Sequence, residues 1–125
     1  MGTVWSGKQI SREEIEMALS KAKEIVSSNS VVVFSKTWCG YCKSVKKLFS
    51  ELNVSYKVVE LDEESDGGEI QSALKEWTGQ STVPNVFIGG KHIGGSDAVM
   101  EKQRAGKLVP LLTEAGAIAN NSAQL

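Results

Sequence analysis

Ser35-Lys36-Thr37-Trp38-Cys39-Gly40-Tyr41-Cys42-Lys43 follows the apolar run Val31-Val32-Val33-Phe34, contains both cysteines of the chain and opens an amphipathic segment. A Cys-x-x-Cys pair where a strand gives way to a helix has the spacing and setting of a redox dithiol. Residues three apart on a helix share a face, so the two sulfurs can approach and join with only a short loop to close. With Cys39 at the helix N-cap and Cys42 in the first turn, unpaired backbone NH groups and the helix dipole stabilise a thiolate on Cys39. Lys36 and Lys43 add positive charge nearby. Cys39 is therefore the expected nucleophile, and Cys42, deeper in the turn, the protonated thiol that acts second. The plainer alternative is two small buried hydrophobes, but Trp38, Tyr41, the lysines and the preceding apolar strand weigh against it. A closed zinc site needs four ligands, and beyond the two thiols the chain offers only His92, which reads better as a hairpin residue.

The 125 residues, 41% of them hydrophobic, suit one domain with a modest core. Fourteen basic against fifteen acidic residues leave a net charge of -1, so nothing argues for wholesale attraction to nucleic acid or membrane. No apolar run approaches the roughly eighteen residues of a membrane span, and Met1-Gly2-Thr3-Val4-Trp5-Ser6 lacks a charged region followed by an apolar block. Two cysteines at redox spacing suit a reducing compartment, and a cytoplasmic location is expected.

Outward from the dithiol, the chain alternates helix and strand. Residues 1–10 carry no pattern and are expected to be flexible. Ser11-Arg12-Glu13-Glu14 reads as a capping box, followed by a stripe at Ile15, Ala18, Leu19, Ala22, Ile25 and Val26 that ends near Ser27-Ser28-Asn29. Val31 to Phe34 reads as a strand covered on both faces. Val45, Leu48, Phe49 and Leu52 mark the buried face of the helix after the cysteines. Residues 56–61 resume strand character, and the acidic, glycine-containing stretch 62–68 is read as a solvated loop; it lacks the ligand spacing and terminal glutamate of a calcium loop. A third helix is expected from Glu69, with Ile70, Ala73, Leu74 and Trp77 inward and a stop at Gly79. Residues 82–95 read as a hairpin turning at Gly89-Gly90. Asp97 is expected to cap a short helix through Met100 to Gln103, and a last helix spans Leu108 to Ala115 with Pro110 in its first turn. Residues 116–125 are expected to be a flexible tail, leaving one domain over 11–115. Trp5 and Trp77 are assigned to packing. The predicted architecture is α/β: two parallel strands and an antiparallel hairpin in one four-stranded mixed sheet, flanked by helices on both faces.

Cys39-Gly40-Tyr41-Cys42, Thr82-Val83-Pro84 and Gly94-Gly95-Ser96-Asp97, in that order and spacing, resemble the glutaredoxin family of the thioredoxin-like fold, and the likeness runs from about Ala22 to Leu112. Trp77-Thr78-Gly79-Gln80 and the text after Pro84 look like plant class I, C-type members. The resemblance implies glutathione as the partner. It makes the Val83-Pro84 peptide cis, presenting the Val83 backbone beside Cys39 to pair with the cysteinyl unit as a strand edge would. It places the γ-glutamyl carboxylate at the helix start formed by Gly95, Ser96 and Asp97, with the Asp97 side chain facing the ammonium. It assigns Lys36 and Gln71 to the glycyl carboxylate, and Tyr41 and Thr82 to the groove wall; Trp38, next to the reactive thiol, is expected to help shape that groove.

The implied chemistry is thiol–disulfide exchange on protein–glutathione mixed disulfides and protein disulfides through Cys39 and Cys42. Some C-type members also bind a 2Fe-2S cluster between two monomers, each giving its first active-site cysteine, here Cys39, and one bound glutathione. The apo form is then a monomer and the cluster-bound form a homodimer. Gly40, where the commoner motif has proline, points that way, because glycine lacks the ring that would crowd a second subunit. The alternative function is a cluster carrier or redox sensor with masked reductase activity. A thioredoxin-like reductase independent of glutathione is a weaker one. Ser96 stands where relatives often carry a further cysteine, so no regulatory disulfide can form there.

Overall fold

The computed structural model describes residues 9–118; the expectations for residues 1–8, Trp5 among them, and for 119–125 lie outside the described residues. The elements are α1 (Arg12–Ser28), β1 (Val31–Ser35), α2 (Gly40–Glu51), β2 (Lys57–Glu60), α3 (Gly67–Thr78), β3 (Asn85–Ile88), β4 (Lys91–Gly94), α4 (Ser96–Arg104) and α5 (Leu108–Glu114). The strands form one sheet in the order β2-β1-β3-β4. β1 pairs in parallel with β2, Val33 opposite Val58, and antiparallel with β3, Val33 opposite Val86. The mixed four-stranded sheet with helices on both faces is the architecture the sequence pattern predicts.

The central position of β1 explains its composition. Val32 and Phe34 point into a core layer shared with Ala18, Ala22 and Val26 of α1 and Ile70, Ala73 and Leu74 of α3. Val31 and Val33 point the other way, to Val45 and Phe49 of α2, Val99 of α4 and Leu108 and Leu112 of α5. A strand buried on both faces has no solvent-facing position, hence the unbroken apolar run. Phe34 meets Phe87 edge-on at 5.9 Å, and Trp77 stacks on Phe87 at 4.9 Å, as its assignment to packing requires. Each fully buried phenylalanine contributes about 1.5–3 kcal/mol by leaving water.

Three boundaries differ from expectation. α3 starts at Gly67 rather than Glu69, because its first turn packs directly on the chain leaving β2: a Cβ on Gly67 would lie 1.8 Å from the Leu61 carbonyl oxygen. Ala117 and Ile118, expected in the flexible tail, are instead held in place: Ala117 is buried, its carbonyl accepts from Ser55 N–H at 2.9 Å, and Ile118 bridges to Val54. The third concerns Asp97 and is taken up with the site.

Candidate functional site

Both cysteines sit where the sequence places them. Cys39 is the N-cap of α2, and its sulfur accepts a hydrogen bond from the Cys42 N–H at 3.2 Å, the bond a serine or aspartate oxygen makes at an ordinary cap. The Cys39 carbonyl also accepts from Lys43 N–H at 3.1 Å, so helix and nucleophile are one unit. Cys39 is 8% exposed and Cys42 is not exposed at all. The two thiols are unlinked. Burial, and then hydrogen bonding to Cys39, push the Cys42 thiol above its ordinary value, so it stays protonated at neutral pH, as a second-acting thiol should.

Across from Cys39 lies the turn between α3 and β3. The Val83-Pro84 peptide is cis, as the resemblance implied, and the Val83 carbonyl oxygen is 3.8 Å from the Cys39 sulfur. An open cleft of about 540 Å³ runs from this point, and Tyr41, Thr82, Val83, Pro84, Gly95, Ser96 and Asp97, all predicted site residues, line it. Tyr41 is 69% exposed and forms a free wall. Gly94 sets the far end: its φ is +126°, and a Cβ there would press on Ala98 at 3.1 Å, so the chain enters α4 with backbone facing the cleft.

Asp97 is not the helix cap expected. α4 begins at Ser96, its N-cap is Gly95, and no side chain caps it. The Gly94-Gly95 pair lets the helix start two residues sooner than a cap at Asp97 would, which leaves the Asp97 carboxylate exposed on the first turn and the NH groups of that turn without a side-chain acceptor.

Lys36 and Gln71 are not part of the cleft wall. The Lys36 ammonium rests 5.5 Å from the centroid of the exposed Trp38 ring, a cation–π contact. Gln71 donates through Nε2 to the Ser81 carbonyl at 2.6 Å, bracing the approach to the cis turn. Trp38 supports Lys36 rather than shaping the cleft. His92 is a hairpin residue: its Nε2 pairs with Asn85 Oδ1 at 2.8 Å, its ring lies 5.2 Å from Phe87, and burial holds its pKa down. Among the described residues no cluster of three or more His, Cys, Asp or Glu could hold a metal ion, and no helix is long and apolar enough to cross a membrane.

One contributor escaped the sequence reading. Gln80 lines the cleft, and its Nε2 donates to the carbonyls of Thr82 at 3.0 Å and Pro84 at 2.9 Å, bracketing the cis peptide. Nothing local marks it, because its acceptors converge only once the turn has formed.

Comparison with known proteins agrees with this geometry. The sequence model of the glutaredoxin family matches residues 31–93. Glutaredoxin-C1 of Arabidopsis thaliana is 68% identical over 125 residues, covering the whole of both chains. The crystal structure of a buckwheat glutaredoxin–glutathione complex superposes with a TM-score of 0.87 at 66% identity, covering 88% of this chain and 100% of that one. The holo form of glutaredoxin C1 from Populus tremula x tremuloides gives a TM-score of 0.78 at 64% identity, covering 79% and 98%.

Proposed function

The chain belongs to the glutaredoxin family and is a glutathione-dependent disulfide oxidoreductase, and we propose that it reduces protein–glutathione mixed disulfides and protein disulfides with Cys39 as nucleophile and Cys42 as resolving thiol. The observation that carries the assignment is the Cys39 sulfur at a helix N-cap, hydrogen-bonded by Cys42 N–H and 3.8 Å from the Val83 carbonyl at the head of the cleft.

The cleft offers what a tripeptide with two carboxylates needs. The backbone of Val83 is a strand-like edge for the cysteinyl unit. The uncapped NH groups of α4 suit the γ-glutamyl carboxylate, and the exposed Asp97 carboxylate suits its ammonium. The Lys36 ammonium, held over Trp38, is the cation for the glycyl carboxylate; Gln71 takes part by holding Ser81. In the first step the Cys39 thiolate attacks the glutathione sulfur of the mixed disulfide. That S–S bond breaks, the substrate thiolate leaves and takes up a proton, and a Cys39–glutathione disulfide remains. A second glutathione thiolate attacks the glutathione sulfur of this adduct, releasing oxidised glutathione and the Cys39 thiolate. On the dithiol route Cys42 loses its proton and attacks the Cys39 sulfur instead, expelling glutathione and closing the Cys39–Cys42 disulfide. The reducing cytosol, where such adducts are reversed, is the compartment proposed.

The decisive experiment is to incubate Cys42→Ser with a glutathionylated peptide and map the product by mass spectrometry. A glutathione adduct on Cys39 supports the assignment; an adduct elsewhere, or none, removes it.

A second reading is that a 2Fe-2S cluster bridges two copies of the chain. Of the two cysteines only Cys39 has any exposed surface, 8% against none for Cys42, so a four-sulfur site requires the partner's Cys39 and two glutathiones. The residues fit in one respect: a side chain at Gly40 would meet nothing within 4 Å, so the ground beside Cys39 is open to a second subunit. Bound there, such a cluster would supply one-electron chemistry and occupy the nucleophile. Anaerobic purification with glutathione tests it. A coloured dimer that Cys39→Ser cannot form supports the cluster, and a colourless monomer with full reductase activity removes it.

A further inference from the structure

Asp62 belongs to the acidic loop read as solvated, and for Glu63 that reading stands: it is exposed, with no ion pair among the described residues. Asp62 differs. Its Oδ1 accepts from the Thr37 backbone N–H at 3.0 Å and its Oδ2 from the Thr37 hydroxyl. Thr37 is the middle of the three residues between the end of β1 and Cys39. One carboxylate, 25 residues away in sequence, thus clips the active-site loop at its centre.

The clip is itself anchored. Leu61 N–H donates to the Ser35 carbonyl at 2.8 Å, extending the β1–β2 ladder by one bond, and the Leu61 side chain is buried. Gly67 of α3 presses on the Leu61 carbonyl so closely that no side chain fits. Asp62 therefore starts from a backbone with little room to drift. On the other side, the Lys36 ammonium lies over Trp38. The two Thr37 bonds, with the nearby Lys36 charge as a lesser cause, hold the Asp62 carboxyl below the usual carboxylate range, so it is ionised at neutral pH.

We propose that Asp62 is a positioning residue for glutathione: through Thr37 it fixes the distance between the Lys36 ammonium at one end of the loop and the Cys39 sulfur at the other. A ligand engaging both groups tolerates little change in their separation. The effect belongs to binding rather than to chemistry, because the Cys39 sulfur keeps its own bond from Cys42 N–H in α2 whatever the loop does. The inference rests on the assignment of Lys36 to the glycyl carboxylate.

The test is steady-state reduction of a glutathionylated peptide, with kcat and KM measured separately for the native chain, Asp62→Ala, Asp62→Asn, Lys36→Ala and Val26→Ala. The expected result is a KM raised about five- to tenfold in Asp62→Ala with kcat within about twofold, the size of one or two lost charge-assisted hydrogen bonds. Asp62→Asn should return to within about twofold of native, since its amide oxygen can accept from the Thr37 N–H and its amino group can donate to the Thr37 hydroxyl. Val26→Ala, a truncation of the buried α1 face remote from the loop, should lower the unfolding midpoint and leave KM alone. A native KM in Asp62→Ala beside a raised KM in Lys36→Ala overturns the role of Asp62 and spares that of Lys36. A native KM in Lys36→Ala removes the assignment and the inference with it. Asp62→Asn as poor as Asp62→Ala overturns the hydrogen-bonded route, and an equal rise in Val26→Ala reduces the effect to general destabilisation.

Discussion

The amino ends of α1 and α4 meet the same physical problem in opposite ways. Every helix starts with backbone NH groups that have no partner inside the helix. In α1 they are answered on the spot: the Ser11 hydroxyl accepts from Glu14 N–H at 3.0 Å, Ser11 N–H donates to Glu14 Oε1 at 2.9 Å, and Glu13 and Glu14 bring negative charge to the positive end. In α4 the cap is Gly95, which has no side chain to offer, and the first turn opens on the cleft. α2 stands between them, capped by a sulfur that is also the nucleophile. A closed amino end only holds the helix, whereas an open one can seat an anionic ligand, and a cap made of a thiol converts the same dipole into reactivity.

The largest effect that can break this comparison is at α2. Cys39→Ser should abolish peptide deglutathionylation, a loss of about a thousandfold or more, while Cys42→Ser keeps much of it; equal losses would mean that the thiol at the cap has no special role. The next is at α4. A Cβ at Gly95 meets only ordinary contacts, 3.6 Å to the Pro84 carbonyl oxygen and 3.7 Å to Gln80 Nε2, so Gly95→Asp can be accommodated. Its carboxylate would cap the helix and occupy the anion seat. KM for the glutathionylated peptide should rise about tenfold while stability gains a few tenths of a kcal/mol. An unchanged KM would show that the open end does not seat a carboxylate.

At α1 the outcome should invert. Ser11→Ala removes the hydroxyl half of the capping box, leaving the backbone N–H of residue 11 to Glu14, and should cost about 1 kcal/mol in urea unfolding, with kcat and KM unchanged. The smallest effect concerns pH. The folded chain raises the Cys42 thiol, so the folded state favours the protonated form. That stabilisation is full below the unfolded thiol value and is lost as pH rises through the higher folded value. Urea midpoints measured from neutrality to above about pH 8.5 should therefore fall more steeply for the native chain than for Cys42→Ser.

Which of these ends could be read in advance follows the distance between partners. The α1 capping box, the Cys39 cap and the double-faced strand Val31–Phe34 were all legible, because each depends on residues three or four apart or on strict local pattern. Asp97 reads as a cap because its composition suits one, but Gly94 and Gly95 let the helix begin two residues earlier. Gln80 and Asp62 were invisible as site residues for another reason. Gln80 acts on carbonyls that converge only in the finished cis turn, and Asp62 acts on Thr37 across a parallel strand pair.

The sequence by itself determined the sheet and its two core layers, the dithiol at the head of a helix and the order of the three motifs that mark the family, because periodicity, capping and short spacings are local physics. Only the tertiary structure decided that Lys36 and Gln71 stand apart from the cleft wall and that a carboxylate after β2 clips the active-site loop, and it brought the cis turn that the family resemblance implied to 3.8 Å from the Cys39 sulfur. Those relations join segments 25 to 44 residues apart. No local rule carries them; they exist only because β1 is buried at the centre of the sheet, with β2 hydrogen-bonded along one side and β3 along the other.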